Sequence, residues 1–188
     1  MNFRSIANDT LICKLINSIY LEKVDSAFKY YYLLDTSKNP EFDKYSIIEV
    51  QKILKEKANH IPLNEFLKSI ETDTSIYVWT NKCLLKARCV SQKNLPYKYH
   101  RRYVHVNKKW SLQKQKKKLE QQNANYEKIP REERTWYFFS KPIFSDNKQF
   151  VLISLGGRYG RLLGECLYIF ESINGNWIQI YKFECSQS

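Results

Sequence analysis

The stretch ECLYIFESINGNWIQIYKFEC, residues 165–185, constrains the fold more than any other part of the chain. Asn174 and Gly175 both tolerate positive φ, so the pair forms a two-residue hairpin turn between strands. With that turn, Ser172 faces Trp177, Phe170 faces Gln179, Tyr168 faces Tyr181 and Cys166 faces Phe183. These pairs make one aromatic face, and Ile169, Ile178 and Ile180 make the other face apolar too. A sheet that is apolar on both sides needs cover on both. Two separate apolar surfaces must come from elsewhere in the chain.

The segments just upstream extend this hairpin. TWYFFSKPIFS and QFVLISL read as two further strands, giving a four-stranded antiparallel meander over about 135–185. The cover comes from the amino-terminal side. DTLICKLINSIYLEKV, residues 9–24, repeats Leu11, Ile12, Leu15, Ile16, Ile19 and Tyr20 at helical spacing, with Asp9 or Thr10 as cap. SIIEVQKILKEK, within 45–57, repeats Ile47, Ile48, Val50, Ile53 and Leu54 in the same way. Pro62 opens a shorter helix, PLNEFLKSI, at a position where its missing N–H costs nothing. AFKYYYLLD is a short aromatic strand, and TSKNPEFDKY is turn chemistry. TSIYVWT and CLLKARCV read as strands around a hairpin turn or bulge at Asn81-Lys82. KYHRRYVHV alternates as a partly exposed strand. Ser111 caps a helix running to about Tyr126, and a polar linker follows over Asn123 to Arg134.

The expected fold is a single α+β domain over residues 1–188, with amino-terminal helices packed on an antiparallel β-meander. Its helical part spans about 9–70, a basic strand-and-helix segment 74–126, and the meander 135–185. A chain of 188 residues that is 43% hydrophobic can bury one ordinary core.

FFSKPIFSDNKQFVLISL, followed by the glycine pair and CLYIFESINGNWIQI, resembles the carboxy-terminal part of uncharacterised small proteins of Bacteroidetes-type bacteria. The resemblance covers residues 135–181. Many such proteins are exported or lipid-anchored, so the resemblance implies a meander fold and a place outside the cytoplasm. It implies no chemistry.

The net charge of +12 is local rather than global. From Thr74 to Leu119 there are 13 Lys or Arg and no Asp or Glu, while the remainder holds 18 basic and 19 acidic residues. A localised field of this kind steers an acidic partner or a polyanion. Solubility alone is the competing explanation, because neighbours in sequence need not be neighbours in space. Within the segment, Tyr97, Tyr99, Tyr103 and Trp110 are interleaved with Lys98, Arg101, Arg102, Lys108 and Lys109. The helix after Ser111 has a thin apolar stripe of Leu112 and Leu119, so packing anchors it weakly.

Catalytic patterns are absent from the sequence. No G-x-S-x-G elbow occurs, and the three histidines, His60, His100 and His105, have no partner pattern that orients a base. His100 and His105 are five apart, which puts them on opposite faces of a regular strand. GGRYGRLLGE is the one glycine-rich loop, with Gly156, Gly157, Gly160 and Gly164 beside Arg158 and Arg161. A phosphate loop needs a helix next, and LLGECLYIF continues as a strand, so this is read as a flexible β-connection. The five cysteines, Cys13, Cys83, Cys89, Cys166 and Cys185, match no zinc spacing. Most are expected to be reduced core residues. A Cys166–Cys185 disulfide remains open, although the hairpin register does not place the two opposite each other.

No run approaches the roughly 20 apolar residues of a membrane span, and MNFRSIANDTLICKLIN lacks the continuous apolar core of a signal peptide. The protein is therefore cytoplasmic, or it is periplasmic or envelope-associated with an export signal absent from this sequence. The expected function is that of a non-enzymatic interaction protein of the inhibitor, immunity or envelope-accessory type, without a cofactor. Its contact surface for an acidic protein is Tyr99, Arg101, Arg102, Tyr103, Lys108, Lys109 and Trp110, extended by Arg158 and Arg161. Nucleic-acid binding through the same patch is the alternative, and a hydrolase or nuclease is the third class. Oligomeric state is left open.

Overall fold

The computed structural model describes residues 3–5, 10–23, 27–37, 39–40, 44–57, 60–82, 84–95, 111–159, 162–183 and 185–187. Its helices are α1 Thr10–Lys23, α2 Lys44–Lys57, α3 Leu63–Thr72 and α4 Leu112–Glu127. Its strands are β1 Phe3–Ser5, β2 Tyr31–Leu34, β3 Thr36–Ser37, β4 Ile76–Val78, β5 Ala87–Val90, β6 Trp136–Phe139, β7 Ile143–Phe144, β8 Phe150–Tyr159, β9 Leu162–Ile173, β10 Asn176–Lys182 and β11 Ser186–Gln187. The class is α+β.

The main sheet has the order β10-β9-β8-β6-β2-β5, with β7 paired to β8 and β11 to β9. Strands β6, β8, β9 and β10 form the antiparallel succession expected from the sequence. The sheet as a whole is not a pure meander. Strand β2 inserts next to β6 and pairs parallel with it, and β5 pairs parallel with β2. A second, three-stranded sheet has the order β1-β4-β3, parallel in its first pair and antiparallel in its second.

The expected neighbours TSIYVWT and CLLKARCV therefore separate, with β4 in the small sheet and β5 at the edge of the large one. Asn81 makes no hairpin turn. Its Oδ1 accepts the Cys89 N–H at 2.6 Å, which occupies a donor on the edge strand. Asp35 ties the two sheets together through its backbone. Its N–H donates to Val90 O at 3.0 Å, and its carbonyl accepts the Trp79 N–H at 2.8 Å.

Alternation along β8 and β9 divides the core. Val151, Ile153, Leu155, Tyr168 and Phe170 point to one face, where Ile12, Leu15, Ile16 and Ile19 of α1 cover them. Phe150, Leu152 and Ile169 point to the other, where Val50 of α2 and Leu63 and Phe66 of α3 cover them. The helical spacing read in α1 is thus the spacing of its buried stripe. Each fully buried Leu, Ile or Phe here contributes about 1.5–3 kcal/mol.

Asn174 and Gly175 both have positive φ, at 52° and 80°, as the hairpin requires. Trp177 pairs with Ser172 and Gln179 with Phe170, in the expected register. Beyond Gln179 the register shifts by a residue, so Tyr181 pairs with Ile169 and Lys182 with Tyr168. A β-bulge of this kind turns consecutive residues toward one side, and Ile180 and Tyr181 both pack in the second cluster. A further shift brings Ser186 opposite Glu165. One step back along that register, Cys185 meets Cys166, and the two form a disulfide with Cα atoms 4.2 Å apart. Cys13 is also disulfide-bonded, and among the described residues Cys89 is the free thiol. The expectation of mostly reduced core cysteines is corrected accordingly.

Gly156 and Gly157 are not a flexible connection. They lie inside β8, opposite Phe138 and Tyr137. The Phe138 ring occupies the space where a Cβ on Gly156 would sit, and a Cβ on Gly157 would lie 2.7 Å from Trp136 O. The glycines admit a ring against the strand. Gly156→Ala is expected to cost about 1–3 kcal/mol through overpacking, read as a lower urea midpoint at unchanged slope. Phe138→Leu in the same chain should recover part of the loss. Wild-type stability for Gly156→Ala alone would show that the ring is not confined there.

Candidate binding surface

Ten of the 13 cations of the basic segment, from Lys93 to Lys118, lie in the crossover between β5 and β6, the two parallel neighbours of β2, while Lys82 and Lys86 precede β5 and Arg88 lies in it. Tyr99, Arg101, Arg102, Tyr103, Lys108, Lys109 and Trp110 lie outside the described residues, as do Arg161 and the strand expected over KYHRRYVHV. Arg158 is in β8, at a register position opposite Trp136 of β6.

The second half of the crossover is described. α4 starts as expected, with Ser111 Oγ accepting the Lys114 N–H at 3.3 Å. It runs through Glu127, so the polar linker begins later than Asn123. Lys114, Lys116, Lys117 and Lys118 are all exposed. Its apolar stripe stays out of the core, with Leu112 83% and Leu119 37% exposed. The return to the sheet is pinned: Arg134 pairs with Glu127 at 2.7 Å, and the buried Thr135 donates its hydroxyl to Arg131 O at 2.8 Å.

The sheet face between the two ends of this crossover has a composition that sequence reasoning missed. Arg88 of β5 is opposite Tyr32 of β2, Tyr32 is opposite Trp136 of β6, and Trp136 is opposite Arg158 of β8. Residues paired in this way share a face, so Arg88, Tyr32 and Trp136 lie in one row across three strands. The exposed Arg88 guanidinium lies 3.4 Å from the centroid of the Tyr30 ring, and Tyr30 meets Tyr32 edge-on at 5.6 Å. Tyr30, Tyr32, Trp136 and Phe138 are half-buried, and none belongs to the cluster under α2 and α3. Burial first, then Tyr32, hold the Tyr30 phenol above its ordinary range against the lowering influence of Arg88. The signal for this row was the spacing in KYYYLL, KARCV and TWYFF, but it becomes a row only once the parallel pairing is known.

A buried cation stands elsewhere. Lys141, in the link between β6 and β7, has its side chain 2% exposed. Its Nζ lies 2.5 Å from Asp73 Oδ2, donates to Asp73 O at 2.9 Å and to Ser75 Oγ at 3.3 Å, and sits 5.7 Å from the Tyr77 ring centroid. Asn39 Nδ2 donates to Ile70 O and Asp73 O. The carboxy-terminal carbonyls of α3 are thereby satisfied by a cation and an amide, where the helix dipole favours positive charge. Burial alone would raise the Asp73 pKa. Hydrogen bonds from Lys141, from the Ser75 hydroxyl and from the Ser75 N–H, with the Lys141 charge, outweigh it and lower the value from 3.8 to about 2. This cluster is a clamp between α3 and the sheet.

The free thiol is poorly suited to nucleophilic work. Burial, followed by the Asp35 charge, pushes Cys89 up to about 12, so it carries little thiolate near neutrality. Among the described residues, no three His, Cys, Asp or Glu side chains group as a metal ion would need. No described helix is long and apolar enough to cross a membrane. Comparison of the chain with family models, curated proteins and solved structures found no match. Function is therefore read from the surface itself.

The clamp makes a paired prediction. Asp73→Asn leaves a buried ammonium without its counter-charge and is expected to cost about 2–3 kcal/mol in chemical denaturation. Lys141→Met leaves only a solvated carboxylate and should cost less. Because the folded-state pKa of Asp73 is depressed, its stabilisation is present above about pH 4 and is lost as pH falls through about 2. The acid-unfolding curve of Asp73→Asn should lack that step. Equal losses for the two variants would contradict the clamp.

Proposed function

We propose that this chain is a non-enzymatic interaction protein that docks an acidic protein partner on its basic crossover, in a periplasmic or envelope setting. The observation that carries the reading is α4. It places four lysines and Leu112 in solvent on a helix that adds little to the core. Arg101, Arg102 and Trp110 precede it in the same connection and supply residue types that dominate protein contacts, while Lys108 and Lys109 add positive charge. Charge complementarity of this kind accelerates encounter and selects the partner. The inhibitor or immunity role fits a domain whose sequence holds no catalytic pattern.

The setting is supported by the cysteines. Structural disulfides persist in oxidising compartments and are rare in the cytosol, and both Cys166–Cys185 and the bonded Cys13 favour the former. The resemblance of residues 135–181 to exported proteins points the same way.

Reversing Arg101, Arg102, Lys108 and Lys109 to Glu is expected to abolish capture of one acidic protein in a pull-down. Undiminished capture would remove the proposed surface. For the setting, Cys166 and Cys185 in protein taken directly from its source cells should resist alkylation under denaturing conditions until reductant is added. Immediate labelling of both would place the chain in a reducing compartment.

A further inference from the structure

The two edges of the large sheet are finished differently. At β5, Lys86 and Arg88 are exposed cations, and Asn81 Oδ1 accepts the Cys89 N–H, so that edge is charged and one of its donors is taken. At β10, residues 176–180 hold neither charge nor proline. The ladder fixes which groups of β10 point outward. Ser172 donates its N–H to Gln149 O at 2.8 Å, toward β8, so its pair with Trp177 is not hydrogen-bonded. The N–H and carbonyl of Trp177 therefore point away from β9, and by alternation so do those of Gln179. Among the described residues β9 is the only neighbour of this part of β10, and no partner meets these outward groups. Gln179 also keeps a buried side-chain Oε1 without a donor. Beside them, Ile178 is 45% and Ile173 41% exposed. Pairing of Ile178 with Glu171 puts both isoleucines on one face of the hairpin. The edge is unpaired and has an apolar flank.

We infer that this edge pairs with the same edge of a second copy of the chain, antiparallel about a two-fold axis at Ile178. In that register Trp177 faces Gln179 of the other copy, and each such pair exchanges two N–H···O bonds. Ile178 meets its own counterpart at the closely spaced, non-hydrogen-bonded position, with Cα atoms about 4.5 Å apart. Ile173 of each copy extends the apolar strip. A second copy suits the edge better than an acidic strand does, because residues 176–180 offer no cation for a carboxylate to meet. With β5 defended, the association closes at two copies instead of growing into a fibre. The bulge after Gln179 bends β10 and keeps the pairing short. A contact of that size belongs to the weak, transient class, so dimer forms as concentration rises. This inference does not rest on the acidic-partner reading, since β10 is separated in the sheet from β5 and β6, the strands that anchor the basic crossover.

The test is sedimentation velocity on the intact chain, from low micromolar to several hundred micromolar, at physiological salt. Wild type is expected to pass from monomer to dimer with no larger species. Ile178→Lys and Ile178→Glu each set like charges against one another across the axis, and each alone should stay monomeric over the same range. Because Ile178 is half-exposed, their circular dichroism should match wild type. Mixing the two variants should restore the dimer, since opposite charges then meet across the axis. Arg88→Glu, at the other edge, should dimerise like wild type. Ile178→Thr keeps a branched side chain suited to a strand and serves if the charged variants fold poorly. It should weaken the dimer about tenfold, through roughly one buried methylene lost from each copy.

The inference is overturned if wild type is monomeric at the highest concentration, or if the charged variants dimerise alone as wild type does. It is equally overturned if the mixture of folded charged variants stays monomeric, or if Ile178→Thr dimerises with wild-type affinity. The acidic-partner reading is tested at Arg101, Arg102, Lys108 and Lys109, so either proposal can fail alone.

Discussion

The pairing of β8 with β9 is the interaction on which the rest of the molecule depends. Ten consecutive register pairs join Phe150–Tyr159 to Leu162–Ile173. The alternation within them exposes apolar side chains to both sides at once. Such a ladder is unstable in water until both faces are covered, so it dictates two helical layers rather than one. α1 on one face and α2 with α3 on the other satisfy it. The side chains of Leu15, Ile16, Ile19 and Phe66 are wholly buried as a result.

Covering both faces creates a second problem, because polar chain must pass close to the core. Ser140 and Ser154 solve it locally. Ser140 donates its N–H to Ser154 O at 2.9 Å, and the Ser154 N–H donates to Ser140 Oγ at 2.8 Å. Lys141 solves it at longer range, reaching 68 residues back along the chain to the end of α3. A buried ammonium gives weak net stabilisation but is intolerant of a missing partner. It therefore fixes where α3 ends relative to β6 and β7 more than it strengthens the fold. Asp35 does comparable work without charge, since one peptide unit's worth of donors and acceptors links both sheets.

What was legible in the sequence was local. The Asn-Gly turn, the stripe of α1, the Pro62 start of α3 and the Ser111 cap are all written within a few residues, and each has the predicted structure. Non-local pairing was not legible. KYYYLL looks the same whether its strand lies at an edge or between β6 and β5, because parallel pairing carries no turn signal. The bulge after Gln179 inserts a residue without marking it by glycine or proline, and so the expected Tyr168–Tyr181 pairing fails while Phe170–Gln179 survives. The same slip converts a remote pair of cysteines into a bonded one. Gly156 was misread for a related reason, since the ring that requires it belongs to another strand. For the candidate surface, the charge excess was legible but the row of Arg88, Tyr32 and Trp136 was not, as its members come from three separate segments.

The placement of the charge has a physical logic of its own. Cations gathered without an acid would repel one another if distributed around a core element. Ten of the 13 in the basic segment lie in the crossover, where they are removed from the packing problem, because β5 and β6 are fixed by β2 whatever the connection between them contains. Leu95 at one end and Thr135 at the other are buried, so the connection is anchored where it leaves and rejoins the sheet. Between those anchors α4 contributes so little apolar area that its lysines are not a by-product of a stripe needed for stability. A fold that needed only solubility would gain as much from mixed charge spread over its surface. The basic run from Lys93 to Lys118 therefore sits in the part of the chain on which the packing of the sheet depends least.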